Sequence, residues 1–347
     1  MKNIGFAIVG LGSIADFHAE AIRQAEGAEL RACFSRNAEK TAKFAEKNHA
    51  EAASSLEELL ARPDVDVVCI ATPSGSHAEP AIAALEAGKH ILCEKPLDVT
   101  LERAQKIIDT AAAKGLLAAA VFQSRFGPGA QAVRKAVLAG RFGKITNASA
   151  YIKWWRDADY YQSNPWRGTR KFDGGGALMN QGIHAIDLLQ WLVGMPKEVF
   201  AYADALAHEG LEVEDTAVAA LRFPNGALGV IEGATSCYPG VAKRIEIAGT
   251  DGFVILEDDR LVKWEFRNAL PEDEALRDSQ KPSIGGGASD PRAISVDGHR
   301  AHVEDLVRVI RDGGTPAVDA RDAVHAIRLI LGIYESAQTH QPVRLDG

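Results

Sequence analysis

Three polar side chains interrupt an apolar stretch at helical spacing: Asn180, His184 and Asp187 fall at i, i+4 and i+7 between Ala177 and Val193. That spacing puts all three on one face of a helix. A buried helix should be apolar on that face, so the stripe reads either as a metal or catalytic face or as a set of capping and core hydrogen bonds. Histidine titrates near neutrality and can act as acid, base or donor to a reacting oxygen. Asp187 reads as an orienting group. No second His or Cys stands at ligand spacing, so no metal is expected. A second chemical candidate is Lys95, in Glu94-Lys95-Pro96 directly after the apolar run His90 to Cys93. At the C-terminal edge of a parallel sheet, where ligands gather, desolvation would lower a lysine's pKa toward the working range. Glu94 would oppose that shift if close. Oxidising an alcohol by hydride transfer needs such a base and a dinucleotide.

The dinucleotide has its own signature. Gly10-Leu11-Gly12-Ser13-Ile14-Ala15 follows one apolar run and opens a helical pattern. Gly10 permits the tight turn, Gly12 lets backbone approach a pyrophosphate, and Ala15 is small enough for close strand-helix packing. The helix start at Ser13 and Ile14 then offers free N–H groups to phosphates. About 20 residues on, where an NAD site places Asp or Glu, the second strand ends in Ser35-Arg36. A hydroxyl and a guanidinium suit the 2′-phosphate of NADP. The other reading of Arg36 is a solvated strand end, so the cofactor is NAD or NADP with a lean to NADP.

Between residues 151 and 170 aromatic and cationic residues interleave: Tyr151, Trp154, Trp155, Arg156, Tyr160, Tyr161, Trp166, Arg167 and Arg170. Aromatic faces pack on sugar C–H surfaces, and arginines bind carboxylate or phosphate bidentately. The same stretch also reads as a strand and loop stabilising a subunit interface. Tyr238 is a further aromatic candidate for substrate contact.

The elements that must position these residues are legible in outline. To about residue 122, short apolar runs alternate with helical patterns: strands at Ile4 to Val9, Leu30 to Ser35, Val65 to Ala71, His90 to Cys93 and Leu116 to Phe122. Helices are expected over Ile14 to Ala25, Ala38 to Asn48 behind the cap Asn37, Ala78 to Ala87 and Leu101 to Lys114, and Ser55 with Glu58 forms a capping box. This alternation predicts a parallel sheet covered on both faces. Beyond it, Ala130 to Ala139 and Ala177 to Val193 read as helical, but most of residues 144 to 264 reads as extended. Turns at Pro224-Asn225-Gly226 and Thr250-Asp251-Gly252 imply an antiparallel sheet. Asn268 to Asp297, rich in Pro, Gly, Ser and Asp, reads as a long loop, and helices over Ala301 to Asp312 and Ala320 to Ala337 close the chain.

A length of 347 residues predicts two domains. The formal charge of −8 argues against nucleic acid as a partner. No apolar run approaches the roughly 20 residues of a membrane span. Cys33, Cys69, Cys93 and Cys237 are not spaced for metal or redox pairing and read as reduced thiols of a cytoplasmic protein.

The glycine fingerprint, Ala71-Thr72-Pro73 with His77, Glu94-Lys95-Pro96, and the run from Gly174 through Met179-Asn180-Gln181-Gly182-Ile183-His184 to Asp187 together resemble the Gfo/Idh/MocA oxidoreductases over essentially the whole chain. The resemblance implies an α/β protein: a Rossmann domain over 1–122, then an α/β domain over 123–347 with a large, mainly antiparallel open sheet that supports homodimers or homotetramers. It implies cofactor contacts at Thr72, Pro73, His77, Glu94, Lys95 and Gln123, and a proton-handling role for Lys95 and His184. Asn180 stands where the family commonly has Asp, which limits it to hydrogen bonding with substrate. The Met-Asn-Gln-Gly-Ile-His form and Trp166-Arg167-Gly168-Thr169 look like those of members acting at C3 of nucleotide-linked amino-sugar acids. The expected activity is hydride transfer between NAD(P) and a secondary hydroxyl of a sugar, sugar acid, nucleotide sugar or cyclic polyol. Alternatives are redox-assisted glycoside cleavage with recycled NAD, and a non-catalytic dinucleotide-binding regulator.

Overall fold

The computed structural model describes residues 2–278, 288 and 295–345. Two compact units are formed, Met1–Gln123 with Val296–Val324, and Ser124–Ser295 with His325–Gly347.

In the first unit, β1 (Ile4–Val9) leads through α1 (Ser13–Gln24), β2 (Ala28–Phe34), α2 (Ala38–Asn48), β3 (Glu51–Ala52), α3 (Leu56–Leu60), β4 (Val67–Ile70), α4 (Ala78–Glu86), β5 (His90–Cys93) and α5 (Leu101–Lys114) to β6 (Ala118–Ala120). All six strands are parallel, in the order β3-β2-β1-β4-β5-β6. β1, β4 and β5 are buried along nearly their whole length, as a sheet covered by helices requires. The order reverses between β1 and β4, which is where an open parallel sheet forms its crevice. Asn37 and Thr100 cap α2 and α5 through their side chains. The capping box at Ser55 is shared differently from the expectation: Ser55 Oγ accepts Glu58 N–H at 3.1 Å, but Glu58 reaches back to Ser54 N–H at 2.8 Å.

The second unit contains α6 (Pro128–Leu138), β7 (Ile145–Lys153), α7 (Ala158–Gln162), a π-helical turn over Ala177–Gly182, α8 (Ile183–Val193), strands β8 (Glu198–Asp204), β9 (Thr216–Arg222), β10 (Leu228–Ala234), β11 (Arg244–Gly249), β12 (Gly252–Glu257) and β13 (Arg260–Phe266), and α9 (Glu272–Asp278). After α10 (Asp297–Asp312) come α11 (Ala320–Thr339) and β14 (Val343–Arg344). The eight strands run β13-β12-β11-β7-β10-β9-β8-β14. Every pairing is antiparallel except β7 with β10. The chain is therefore an α/β protein with a Rossmann-like sheet and a mainly antiparallel one.

Three sequence expectations need correction. The division after residue 122 leaves out a returning segment: Val303, Leu306 and Val307 of α10 share one core with Ala15 and Ile22 of α1, so this helix belongs to the first unit. α10 also starts at Asp297, four residues earlier than expected. Gly298 is small because a Cβ would come within 2.4 Å of Gln123 Cβ. The loop expected over Asn268 to Asp297 holds α9, because the Pro, Gly and Ser content that carried the loop reading is concentrated after Asp278. Residues 279–287 and 289–294 of it lie outside the described residues. No described helix is long and apolar enough to cross a membrane.

Candidate functional site

The first unit carries the fingerprint glycines at the C-terminal end of β1. Gly10 has φ +93°, and a Cβ there would sit 2.6 Å from the backbone of Ala71 and Thr72, so only glycine fits. Gly12 is the opposite case: no atom lies within 4 Å of a Cβ built on it. It precedes α1, whose start has no side-chain cap. Ser13 and the half-buried Ile14 begin that helix. An uncapped helix start next to open space is a fit for a dinucleotide pyrophosphate. Gln123 Oε1, buried without a partner among the described residues, is an acceptor on the same unit.

Ser35 and Arg36 directly follow β2, with different surroundings. The Ser35 hydroxyl contacts Thr41 Oγ1 at 2.9 Å and the Asn37 carbonyl at 3.1 Å. Arg36 is exposed.

His77 and Glu94, expected to touch cofactor, are engaged by internal hydrogen bonds. Both His77 ring nitrogens face carbonyl oxygens, Nδ1 that of Pro96 at 2.8 Å and Nε2 that of Thr72 at 2.9 Å. The ring thus braces the Thr72-Pro73 loop against the Lys95-Pro96 loop. Glu94 is buried. Its Oε1 accepts from His18 Nε2 at 2.9 Å and His299 Nε2 at 3.1 Å, and its Oε2 accepts the Lys95 N–H at 3.3 Å. Burial pushes the carboxyl's pKa up, but the bonds from His18 and His299 outweigh it and hold Glu94 well below the usual carboxylate range. Burial lowers the His18 pKa against the pull of Glu94.

His18, Glu94 and His299 present three ligand atoms within 4.8 Å of one another. A metal-bound imidazole donates its other N–H to a second-shell acceptor. Nδ1 of both rings is buried without a partner among the described residues, so hydrogen bonding to the carboxylate fits this cluster better than an ion does.

In the second unit, the glycine run leads into the π-helical turn. Glu214 shapes it, accepting Gly176 N–H at 3.0 Å through Oε2, and Leu178 N–H and Tyr334 Oη–H, both at 2.8 Å, through Oε1. Burial raises the Glu214 pKa, against these hydrogen bonds. The wider turn and the packing beyond it correct the expectation of one three-residue polar face. Asn180 and His184 are half-buried. Asp187 is fully buried and paired with Arg125 at 2.8 and 2.5 Å, with Gln190 Nε2 3.1 Å away. It is a core ion pair.

Asn180 joins a polar network. Its Nδ2 donates to Asp173, which also accepts Gly168 N–H at 2.9 Å. Gln181 Nε2 contacts Asn180 Oδ1 at 2.5 Å and donates to Tyr160 Oη at 2.7 Å. Gln181 Oε1 accepts from the buried Arg156, whose Nη1 reaches the Trp155 and Ala288 carbonyls at 2.7 and 3.0 Å. The Tyr160 ring lies beside two guanidinium groups, Arg167 at 3.9 Å and Arg156 at 5.4 Å from its centroid. Arg167 also lies 5.6 Å from the Trp166 ring. Burial lowers the Arg156 pKa, and the Arg167 charge adds to that. Tyr238 is 80% exposed and meets Trp155 edge-on at 5.6 Å, apart from this network.

Sequence reasoning missed Asp173, Gln181 and Glu214 in one unit, and His18 and His299 in the other, as members of these clusters. Asp173 and Gln181 sit within or beside the quoted glycine-to-histidine run, which was their only local signal.

Known proteins give a consistent comparison. The sequence profile described as "Oxidoreductase family, NAD-binding Rossmann fold" matches residues 4–122, and that of the "GFO/IDH/MocA C-terminal domain" matches 130–255. The WlbA dehydrogenase of Bordetella pertussis, solved with NADH and UDP-GlcNAcA, is 33% identical with a TM-score of 0.90, covering 100% of this chain and 99% of that one. The Chromobacterium violaceum WlbA dehydrogenase, solved with the same two ligands, is 31% identical with a TM-score of 0.90 over 100% and 97% of the chains. Levoglucosan dehydrogenase of Pseudarthrobacter phenanthrenivorans is 30% identical over 321 residues, 80% of each chain.

Proposed function

We propose that this chain, which belongs to the Gfo/Idh/MocA family of oxidoreductases, oxidises a ring hydroxyl of a nucleotide-linked sugar acid. It is an NAD(P)-dependent dehydrogenase of the sugar and polyol type. The observation that carries the finer reading is the pair of guanidinium groups beside Tyr160: Arg167 and Arg156 bring two positive charges to one aromatic ring. Among the described residues Arg167 Nε is buried without a partner, while its Nη1 donates to the Tyr160 carbonyl at 3.4 Å. A carboxylate of the substrate is the natural counter-charge. The kinship with dehydrogenases solved with UDP-GlcNAcA supports the same class.

A bound nicotinamide supplies the hydride acceptor. Lys95 Nζ takes the hydroxyl proton as the carbinol C–H leaves as hydride and the C–O bond becomes a carbonyl. His184 is the second residue that handles the proton, as acid, base or donor. Asn180 carries no titratable proton and orients substrate by hydrogen bonding. Gly10, Gly12 and the start of α1 hold the pyrophosphate. Arg36, exposed just after β2, favours a 2′-phosphate, so Arg36→Ala weakens NADP more than NAD; equal losses would remove that role.

The protein works as a homo-oligomer joined through the open sheet. Tyr202 and Val218 sit opposite each other on β8 and β9 and are 64% and 45% exposed, an apolar surface of the kind such contacts cover.

The deciding experiment measures reduced nicotinamide and free UDP with UDP-GlcNAcA, neutral UDP-GlcNAc, free uronates, inositols and levoglucosan. UDP-GlcNAcA is expected to be oxidised with the highest kcat/KM. Equal rates with UDP-GlcNAc would remove the carboxylate site, and UDP release without net cofactor reduction would point to redox-assisted cleavage.

A further inference from the structure

We propose that His18 and His299 are positioning residues for Lys95, holding the backbone that carries the lysine through the Glu94 carboxylate they share. The proposal rests on the reading of Lys95 as the proton acceptor.

Three segments far apart in sequence meet at one carboxylate. His18 lies on α1, 76 residues before Glu94, and His299 on α10, 205 residues after it. Both present Nε2 to the same oxygen, and an ionised carboxylate only accepts, so both rings carry a proton there. The second oxygen accepts the Lys95 N–H at 3.3 Å. The rings pack edge to face with centroids 5.0 Å apart, and both histidines are buried. Glu94 is only 7% exposed, so water replaces a lost histidine donor poorly. A buried carboxylate without its donors either takes up a proton or moves. Either change releases the Lys95 N–H, and displacement of a catalytic group by about 1 Å costs on the order of 10²-fold in rate.

Among the described residues the groups facing Glu94 include His18 from α1, His299 from α10, Cys69 of β4, Cys93 at the end of β5 and His77 ahead of α4. Burial pushes both thiols up, so they stay neutral through the working range. The two histidine donors are the strongest of the effects that keep Glu94 ionised.

The test compares His18→Leu, His299→Leu, His299→Gln, Glu94→Gln and Lys95→Met for dinucleotide affinity, kcat and the pH profile of kcat. Loss of one donor leaves burial less opposed, so His299→Leu should lower kcat about tenfold and move its acid limb up by about one pH unit. Dinucleotide affinity should change less than about threefold. His299→Gln, which keeps an N–H donor, should restore the limb. Should either leucine variant fail to fold, Glu94→Gln carries the test: its kcat should fall about tenfold at every pH. Wild-type kcat and an unmoved limb in the folded variants, with Lys95→Met inactive, would overturn the proposal. So would a stoichiometric metal ion retained by the wild type and lost in His299→Leu. An active Lys95→Met would instead overturn the assignment of the base, which separates the two failures.

Discussion

The side-chain carbonyl of Gln181 accepts two hydrogen bonds from the Arg156 guanidinium, at 2.6 and 3.0 Å. Its amide nitrogen donates to Tyr160 Oη at 2.7 Å, so a single residue sets the position of an arginine and an aromatic ring. Gln181→Ala should leave both partners short of a buried contact and raise the KM for UDP-GlcNAcA about tenfold, with a smaller change in kcat. Gln181→Glu should be worse, because its carboxylate competes with the substrate for Arg156. Unchanged KM in both variants, from steady-state kinetics, would show that this network does not contact substrate.

Gly10 and Gly12 make opposite demands that a pair of variants separates. Gly10→Ala forces a Cβ into the Ala71-Thr72 backbone at positive φ, so it should destabilise the fold as well as abolish dinucleotide binding. Gly12→Val projects into open space. It should keep its stability within about 0.5 kcal/mol and lose dinucleotide affinity by tenfold or more, by roughly the 1.4 kcal/mol that tenfold represents. Titration calorimetry and thermal unfolding check both, and normal binding by Gly12→Val would place the pyrophosphate elsewhere.

Asp273 gives the fold a pH dependence with a defined sign. Arg141 bonds it at 2.7 Å through both Nη atoms, and Trp264 Nε1 and Leu270 N–H add bonds of 2.7 Å each. The Arg141 bonds hold its pKa well below the ordinary aspartate value of 3.8. The folded state therefore keeps the carboxylate ionised where the unfolded chain takes up a proton. This stabilisation is complete above the unfolded value and is lost as pH falls through the folded one. Arg141→Met should cost roughly 3 kcal/mol at neutral pH and progressively less in strong acid. Urea unfolding that shows the same loss at both extremes would contradict the pairing.

How much of this could be read in the sequence depended on distance along the chain. The fingerprint was legible because Gly10, Gly12 and Ala15 act within one turn of backbone. The hairpins at Asn225-Gly226 and Asp251-Gly252 were legible for the same reason. Glu94 was recognisable as part of a motif, but its carboxylate turns to His18 and His299, which no local pattern links to it. Asp187 matched the spacing of Asn180 and His184, yet Arg125, 62 residues earlier, draws it into the core. The helix expected from Ala177 opens as a π-helical turn because Glu214, from a distant loop, accepts the N–H groups of Gly176 and Leu178. Side chains that answer to remote partners left no period or spacing to read.

The most direct test of the account is a single turnover of enzyme saturated with dinucleotide, mixed rapidly with UDP-GlcNAcA and followed at the absorbance of reduced nicotinamide. The wild type should give one equivalent of reduced cofactor in a fast burst. Lys95→Met, with dinucleotide affinity within a few-fold of the wild type, should slow that burst by 10² to 10⁴-fold, the range expected for losing a positioned general base. A Lys95→Met burst at the wild-type rate across the pH range would contradict the claim that Lys95 takes the proton in hydride transfer.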